Sequence, residues 1–454
     1  MNLQAKLNQL EEMKAACRKS SPARERLEAL FDENTFVELD GFVANGNEGV
    51  GVVTGYGMVE GSIVYAFSQD VTVVGGAVSR FHAEKIAKIY ELAVKNGSPV
   101  VAVYDSNGAK LSEGSEILSV YGKILSMANN LSGVVPQISV VAGSCTGISA
   151  MMAAAADVVV MAEDAVLYLS DANGDVSAEG ALKAGAVDIM EKDAKTAVLR
   201  AREIVSMLPL NNISIAPIAE GSANLNAAAI DDSKEMGELA ELLCDMDSVV
   251  ELKAGYGNAA YTTLASIGGN TVGLVAVKGK LGSKSNSKIA SFVRFCDCFN
   301  LPVVSLVDTD GYCCCNDLKA QGVVEAAKLA HAYADATTAK ITVYIGSAIG
   351  AAGVAFGNAD IRLAWPTAVI SALEPHTAVE FFWHDKLKGA EDVNKRRDEL
   401  AEEYIDTMAS PYEAAKASLI EDVVAPSNTR DAIITALDML ASKRVSKLPK
   451  KHSN

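Results

Sequence analysis

Two glycine-containing segments have the residue types needed to stabilise negative charge that develops on a carbonyl oxygen. Gly147 and Gly350 each end the pattern Gly-Ser-x-x-Gly after a short apolar run, and small residues follow them. A strand-to-helix turn of this kind presents main-chain N–H groups at a helix N-terminus, where the helix dipole favours an anion. Such donors suit a thioester enolate or a tetrahedral oxyanion, and one donor is typically worth about 2.7–4 kcal/mol. For either segment alone, the alternative is that the glycine only permits close strand–helix packing.

The two segments belong to an internal repeat with a constant offset of 203 residues. PVVAVYDSNG (99–108) aligns with PVVSLVDTDG (302–311), and ISVVAGSCTGISAMMAAAAD (138–157) aligns with ITVYIGSAIGAAGVAFGNAD (341–360), without a gap between them. Self-similarity at a fixed period indicates two copies of one fold. The presence of two matched turns favours a role in binding two oxygens that gain negative charge over a role in packing alone. Carboxyl transfer is a reaction of this kind, because two carbonyl-like oxygens gain charge in it.

The elements that must position these turns follow the same order in each copy. A β-rich opening with glycine turns is followed by a helix, a short buried strand, a polar loop, a second helix and a second buried strand. This alternation predicts an α/β fold with mostly parallel sheets covered on both faces. We expect two domains, at 1–225 and 226–454, with linking helices at 194–212 and 233–247.

The charge balance excludes some classes of partner. The chain has 454 residues, with 40 basic and 57 acidic side chains, for a formal charge of −17. Nucleic acids and anionic membranes require a basic footprint, so neither is expected as a partner. An anionic ligand would have to be held by local lysines, arginines and main-chain N–H groups.

The sequence predicts a cytoplasmic protein without membrane insertion. It contains no uncharged apolar run of about 18 residues and no apolar signal-peptide core. Its eight cysteines show neither a secreted disulfide framework nor zinc-site spacing, so we expect reduced thiols and no bound metal. His82, His331 and His376 are expected to be structural or surface residues.

The chain resembles the carboxyltransferase (β-type) subunits of biotin-dependent acyl-CoA carboxylases and decarboxylases, a branch of the crotonase superfamily. The resemblance covers nearly the whole chain. Its matching segments are ARERLEALFDENTFVELDGF (23–42), GVVTGYGMVEG (51–61), FSQDVTVVGGAVSRFHAEKI (67–86), VPQISVVAGSCTG (135–147), SFVRFCDCFNLPVVSLVDTDGY (291–312), AKLAHAYADATTAKITV (327–343), ADIRLAWPTAVIS (359–371) and SPYEAAKASLIEDVVAPSNTRDAIITAL (410–437).

The resemblance implies two duplicated crotonase-like (ββα-superhelix) domains, the first on the acyl-CoA side and the second on the biotin side. Each site would form between halves of two protomers, usually in a hexamer built as a trimer of dimers. The implied oxyanion-hole residues are Gly147 and Ile148 for the thioester oxygen and Gly350, Ala351 and Ala352 for the biotin ureido oxygen. The implied substrate-binding residues are Val74, Gly75, Gly76, Asn107, Gly108, Ala109, Lys110, Asp310, Gly311 and Tyr312.

Four departures from the family pattern bear on the identity of the substrate. Ile148 and Ala351 stand where the family usually has a second glycine, and Lys110 replaces an arginine, which exchanges a fork-shaped donor for a point charge. The C-half loop ends in Asp310-Gly311-Tyr312 instead of Pro-Gly-Phe. The segment after Asp171 is about twenty residues shorter than the family pattern and replaces a lid-like region.

The implied function is transfer of a carboxyl group between carboxybiotin and the α-carbon of a short acyl-CoA, such as propionyl-CoA/methylmalonyl-CoA. No biotinylation motif or ATP-grasp region is visible, so biotin would arrive on a separate carrier protein, with a biotin carboxylase or membrane decarboxylase subunits as further partners. The alternatives are a decarboxylase α-subunit of a sodium-pumping complex, a non-catalytic scaffold subunit, and a biotin-independent hydratase. The hydratase would need Glu113 or Glu116 as its base.

Overall fold

The apolar runs that recur along the chain form the central strands of two separate sheets. The computed structural model describes residues 3–45, 48–170, 173–224, 229–231, 233–313 and 321–445. The chain divides into two compact units, Met1–Pro217 and Ile218–Asn454. The predicted boundary between 225 and 226 lies outside the described residues, as does Asp171.

The sheet of the first unit begins with two antiparallel pairings and continues with parallel ones. A short strand, β9 (Val166–Tyr168), pairs with β7 outside this order, and a small hairpin is formed by β2 (Ala44–Asn45) and β3 (Glu48–Gly49). The strands of the sheet, in spatial order, are β1 (Val37–Leu39), β4 (Val52–Val59), β5 (Ser62–Gln69), β6 (Val100–Ser106), β7 (Gln137–Thr146), β8 (Val158–Ala162) and β10 (Ile189–Glu191).

The sheet of the second unit repeats this order and these directions, and its short extra strand β17 (Val369–Ser371) pairs with β15 as β9 pairs with β7. The prediction of two duplicated α/β domains with mostly parallel sheets is therefore confirmed. The strands, in spatial order, are β11 (Val250–Leu252), β12 (Ala260–Ile267), β13 (Asn270–Lys278), β14 (Val303–Thr309), β15 (Lys340–Ile349), β16 (Ile361–Ala364) and β18 (Asp422–Val423).

Helices connect the parallel strands of both units. The expected linking helices are α7 (Ala194–Met207), which begins at a capping box on Asp193, and α8 (Met236–Leu243). The helices of the first unit are α1 (Leu3–Cys17), α2 (Pro22–Leu30), α3 (Arg80–Asn96), α4 (Glu116–Asn130), α5 (Ile148–Ala154), α6 (Ala178–Ala184) and α7 (Ala194–Met207). Those of the second are α8 (Met236–Leu243), α9 (Ser283–Cys298), α10 (Gln321–Asp335), α11 (Gly350–Phe356), α12 (Pro375–Phe382), α13 (His384–Leu387), α14 (Val393–Met408), α15 (Pro411–Lys416) and α16 (Thr429–Leu440).

Each unit has its own apolar core between sheet and helices. In the first unit, Phe67, Ile86 and Tyr104 are among its buried members, and in the second Trp365 is fully buried. The helices α12–α14 pack around a separate small apolar cluster that includes Leu400. Within the described residues, no helix is long and apolar enough to cross a membrane.

Candidate functional site

Two loops of the first unit meet beside the carboxyl ends of β5 and β6. The Ser106 Oγ donates a hydrogen bond to the Gly76 carbonyl at 2.7 Å and accepts one from the Gly108 N–H at 3.1 Å. The Asn107 N–H donates to the Gly75 carbonyl at 3.0 Å. One hydroxyl therefore holds together the two loops that the sequence assigned to acyl-CoA binding.

The first of these loops has an unusual backbone. Val74, Gly75 and Gly76 all have positive φ, of 52°, 66° and 64°. This conformation is costly for a β-branched residue such as Val74, whose side chain is 48% exposed. No larger residue fits at the position of Gly76, because a Cβ there would lie 2.5 Å from the Asp105 carbonyl oxygen. The surrounding bonds thus maintain a strained loop at the predicted site.

The second loop also pairs with Val78, in the manner of two neighbouring strands. The Val78 N–H donates to the Gly108 carbonyl, and the Lys110 N–H donates to the Val78 carbonyl, both at 2.9 Å. Ala109 is the residue bridged to Val78. A Cβ at Gly108 would lie 3.2 Å from the Thr146 Oγ1, so this loop lies against the end of β7. The structure therefore brings all seven predicted acyl-CoA residues together next to the turn at Gly147.

The turn at Gly147 differs from the expectation in one respect. Gly147 precedes α5, as predicted, and it has a φ of 60°. Its N–H, however, donates to the Tyr168 carbonyl of β9 at 3.0 Å. The expected donation from the Gly147 N–H to a thioester oxygen therefore does not hold in this structure. Ile148 is the first residue of α5, and an N–H at that position has no partner inside its own helix. Ile148 is half-buried and packs against the core.

The second unit repeats the loop arrangement. The Thr309 Oγ1 donates to the Gly279 carbonyl at 2.8 Å and accepts from the Gly311 N–H at 3.3 Å. The Leu281 N–H donates to the Gly311 carbonyl at 2.9 Å, and Leu281 is bridged to Tyr312. Each of these residues lies 203 positions after its counterpart in the first unit. The two candidate sites are therefore copies of one construction.

The turn of the second site begins α11. Gly350 has a φ of 58°, and a Cβ there would lie 3.3 Å from the Ala372 carbonyl oxygen. Gly350, Ala351 and Ala352 form the first turn of the helix, where N–H groups point out of the helix end. The Ala352 side chain is fully buried, whereas Ala351 is exposed. Asp310 is also exposed, at the tip of the loop that contains Gly311.

A buried ion pair supports the first site. Arg26 Nη1 lies 2.9 Å from Asp105 Oδ2, with side chains only 13% and 8% exposed. The Asp105 N–H also donates to the Gln69 Oε1 at 3.2 Å. Asp105 lies at a register shift between β6 and β7, directly before Ser106. Asp308 occupies the same place in the second unit, where it accepts from the Ser347 N–H at 2.8 Å.

The sequence reasoning missed the roles of Arg26, Gln69, Ser106 and Thr309. For the last two, a signal existed, because both copies have a hydroxyl residue directly after the repeated aspartate. Arg26 lies in the family motif ARER, but its partner is 79 residues away in sequence and is brought to it only by the fold.

The three histidines have the following surroundings. His82 is completely buried beside Gln69, and burial lowers its pKa to about 3, so it is neutral. His331 lies 3.3 Å from Arg294 through Nδ1. His376 lies on the surface between Glu374 and Asp398, and the hydrogen bond to Glu374 raises its pKa.

The cysteines follow the prediction at five positions. Cys17, Cys145, Cys244, Cys296 and Cys298 are free thiols. Cys313 is disulfide-bonded, which corrects the expectation of reduced thiols at that position. Cys314 and Cys315 lie outside the described residues. Within the described part of the chain, no group of acidic, histidine and cysteine side chains could hold a metal ion.

Comparisons with known proteins identify the family of this chain. The model of the carboxyl transferase domain matches residues 18–454. The chain is 36% identical to the methylmalonyl-CoA decarboxylase subunit alpha of Propionigenium modestum, over 95% of this chain and 92% of the relative. It is 37% identical to the biotin-dependent acetyl-/propionyl-coenzyme A carboxylase beta5 subunit of Mycobacterium tuberculosis, over 95% and 89%.

A solved structure is similar over the whole chain. The transcarboxylase 12S hexamer, with methylmalonyl-coenzyme A and methylmalonic acid bound, superposes with a TM-score of 0.92 at 32% identity, covering 100% of this chain and 98% of that one. The resemblance seen in the sequence motifs is thereby confirmed. The chain belongs to the carboxyl transferase family and is a carboxyltransferase of the biotin-dependent acyl-CoA carboxylases and decarboxylases.

Proposed function

We propose that this chain moves a carboxyl group between carboxybiotin on a separate carrier protein and the α-carbon of a short acyl-CoA, with propionyl-CoA and methylmalonyl-CoA as the pair. The observation that carries the proposal is the duplicated site, in which hydroxyl-held loops lie beside a helix N-terminus in each unit. Two such sites suit a reaction in which two carbonyl oxygens gain negative charge. The names of the relatives support this choice of acyl group.

The first unit is assigned to the acyl-CoA. The Ile148 N–H would donate to the thioester oxygen, which becomes more negative when the α-carbon is a carbanion. The strained loop Val74–Gly76 and the loop Asn107–Lys110 would line the acyl chain and exclude water. The half-buried Ile148 side chain would limit the size of the acyl group.

The second unit is assigned to biotin. Its cradle is made of small residues and main chain, and Gly350 has little room for even a methyl group, which suits a compact cyclic urea. The N–H groups of Ala351 and Ala352 would donate to the ureido oxygen. Carboxybiotin, when bound, supplies or receives the carboxyl group. A biotin carrier protein and a hexamer like that of transcarboxylase 12S are the expected partners.

Decarboxylation by the same site tests the proposal. The protein is incubated with methylmalonyl-CoA with and without free biotin, and formation of propionyl-CoA is measured. We expect biotin-dependent propionyl-CoA formation. Its absence with methylmalonyl-CoA, malonyl-CoA and a biotinylated carrier domain would contradict the proposal and would favour a non-catalytic scaffold. The direction in the cell depends on the partner subunits, because the chemistry is reversible.

The surroundings of Glu113 and Glu116 do not favour the hydratase alternative. The Glu113 carboxylate accepts a hydrogen bond from the Arg80 N–H at 2.8 Å and so caps α3. Glu116 begins α4 and is exposed. Hydration of crotonyl-CoA without biotin is therefore not expected, and its detection would revive this alternative.

A further inference from the structure

The two units differ in how the strand that leads into each candidate site is held at its end. In the first unit, the pairing of β5 with β6 ends at Ser68 and Val103. In the second unit, the pairing of β13 with β14 continues two residues beyond the matched position, to Lys278 and Asp308. The main-chain ladder therefore reaches Asp308, whereas it stops short of Asp105, the counterpart of Asp308 in the first unit.

In the first unit, a side chain takes the place of the missing main-chain contact. Gln69 is the last residue of β5, and its Oε1 accepts the hydrogen bond from the Asp105 N–H at 3.2 Å. The Gln69 side chain is buried, with the residue only 1% exposed. By the register of the two ladders, Val277 occupies the matched position in the second unit, and its side chain offers no acceptor. The main chain of Asp105 is thus held by an amide group that the second unit lacks at this position.

His82 determines which way this amide group faces. The Gln69 Nε2 lies 3.3 Å from the His82 Nε2. Because the Asp105 N–H can only donate, it must meet the amide oxygen of Gln69, and the amide nitrogen is left to donate to the histidine. The His82 Nε2 is therefore the acceptor, and the ring proton lies on Nδ1. The imidazole is neutral, since burial lowers the pKa of His82 to about 3.

The Nδ1 of His82 has surroundings that do not favour a histidine. The side chain is fully buried in the first turn of α3, and its Nδ1 has no hydrogen-bond partner among the described residues. A buried donor without a partner is destabilising, and an apolar residue of similar shape would avoid this penalty. What the histidine offers in return is the acceptor at Nε2. This favours a role in orienting Gln69 over a role in packing alone.

Asp105 connects this contact to both loops of the first site. It lies at the register shift between β6 and β7, and the next residue, Ser106, holds the two loops through its Oγ. A Cβ at Gly76 would lie 2.5 Å from the Asp105 carbonyl oxygen, so the first loop touches the same main chain. Arg26 binds the side chain of Asp105, whereas Gln69 binds its main chain. A shift of this main chain would therefore displace both loops together.

We infer that Gln69 and His82 are positioning residues for acyl-CoA binding by the first unit. His82 orients the Gln69 amide, and Gln69 fixes the main chain of Asp105 and, through it, the two loops. The inference rests on the proposed function, because it takes the ligand of these loops to be the acyl-CoA. The site assigned to biotin should be independent of both residues, since the main-chain ladder of its own unit reaches Asp308.

Substitutions at the two positions test this role through the KM values of the two substrates. Gln69→Leu removes both hydrogen bonds and keeps a side chain of similar size. It should raise the KM for methylmalonyl-CoA about tenfold and leave the KM for free biotin unchanged. His82→Met should have the same effect. His82→Gln should restore most of the affinity, because its amide oxygen can take the place of the Nε2 acceptor.

Ser68→Ala is the matched control. The Ser68 Oγ is buried directly beside Gln69 in sequence and has no hydrogen-bond partner in the described part of the chain, so both KM values should stay unchanged. A purely structural role for Gln69 and His82 would lower the fraction of folded protein, and hence kcat, without changing either KM. That result would overturn the inference, as would an equal rise in both KM values or a failure of His82→Gln to restore affinity.

Absence of turnover by the unmodified protein would contradict the proposed function instead. The inference would then be decided by calorimetric binding of methylmalonyl-CoA, which Gln69→Leu should weaken about tenfold and Ser68→Ala should not change. An unchanged affinity of Gln69→Leu would overturn it. Hydrogen exchange should show the same contrast, with the Asp105 amide exchanging about tenfold faster in Gln69→Leu and the amides around Asp308 unchanged. Equal exchange at Asp105 would overturn the inference.

The tautomer of His82 can be tested in the unmodified protein. The chain has five histidines. Nitrogen-15 NMR spectra of histidine-labelled protein at pH 7 should contain one neutral ring that is protonated on Nδ1 and that disappears in His82→Gln. Protonation of His82 on Nε2 would overturn the inference, because that nitrogen could not accept a hydrogen bond from Gln69.

Discussion

At the scale of single residues, the first site depends on a charge pair buried beneath it. Arg26 and Asp105 are both nearly inaccessible to solvent, and Asp105 directly precedes the Ser106 hydroxyl that holds the two loops. Breaking a buried pair by removing one partner is far more costly than the net worth of the pair, because the remaining charge stays desolvated.

Arg26→Met should therefore lower the free energy of unfolding by about 3–5 kcal/mol, measured by urea denaturation. The double variant Arg26→Met/Asp105→Asn should recover part of this loss, since no unpaired charge remains. Arg396→Met removes an exposed pair with Glu399 and should cost at most about 1 kcal/mol. A single variant no less stable than the double variant would contradict the buried-charge argument.

A second residue-scale prediction concerns the donors of the second site. Ala351→Pro removes one N–H in the first turn of α11, where a proline ring is tolerated, and the Ala351 side chain is exposed. Biotin-dependent turnover should fall by a factor of about 100–1,000, while acyl-CoA binding is unchanged. Val354→Ala, at an exposed position of the same helix that keeps its N–H, is the control. Equal loss of acyl-CoA binding would contradict the assignment of α11 to biotin.

At the scale of elements, a short strand can determine whether a main-chain N–H at a strand-to-helix turn is available to a ligand. β9 contains only three residues, yet its Tyr168 carbonyl accepts the Gly147 N–H. No pattern in the sequence predicts which carbonyl a short strand presents, so the loss of this donor could not be foreseen. The repeat did predict the long strands and the matched glycine turns after them. The positive φ of both glycines is a finding of the structure, and it is a conformation that glycine adopts without steric cost.

The helices α12 and α14 are joined by a pH-dependent contact. His376 lies 2.8 Å from Glu374 Oε1 through Nδ1 and 3.1 Å from Asp398 Oδ1 through Nε2, so both ring nitrogens donate only in the imidazolium form. The pKa of His376 is raised above 6.5, chiefly by Glu374, and the pKa of Glu374 is lowered from 4.5 to about 2. Burial opposes the latter shift, whereas hydrogen bonds from His376 and Thr377 produce it.

The stabilising effect of this contact should be largest between about pH 4.5 and 6.5. It is lost above this window as His376 deprotonates through its raised pKa, and below it as Glu374 becomes protonated. The difference in free energy of unfolding between the unmodified protein and His376→Leu, measured by urea denaturation from pH 3 to 9, should follow this course. Exposed pairs contribute little, so the amplitude should be at most about 1 kcal/mol. A pH-independent difference would contradict the prediction.

At the scale of the whole molecule, the two units should respond separately to ligand. Hydrogen exchange in the presence of methylmalonyl-CoA should slow at Val74–Gly76 and Asn107–Lys110 of the first unit. The matched positions around Gly311 should be unaffected, because the second unit is assigned to biotin. Protection of both loops to the same degree would contradict the division of the substrates between the units.

The fold was largely predictable from sequence, whereas the supporting contacts were not. The internal repeat, with its offset of 203 residues, predicts two copies of one fold with the same strand order. The two described units have that common order. Contacts between distant residues, such as Arg26 with Asp105 or Arg202 with Asp32, depend on how helices pack on the sheet. The sequence pattern does not give the distance between such residues, so their contact is known only from the structure.

Ser106 and Thr309 each hold the loops of their own unit through hydrogen bonds made within that unit. After duplication, a mutation such as that at Ile148 could change the pocket of the first unit while the second unit kept its own function. Because each unit keeps its own hydroxyl residue, Ser106 or Thr309, the acyl-CoA site could accept new acyl groups while the site assigned to biotin is preserved.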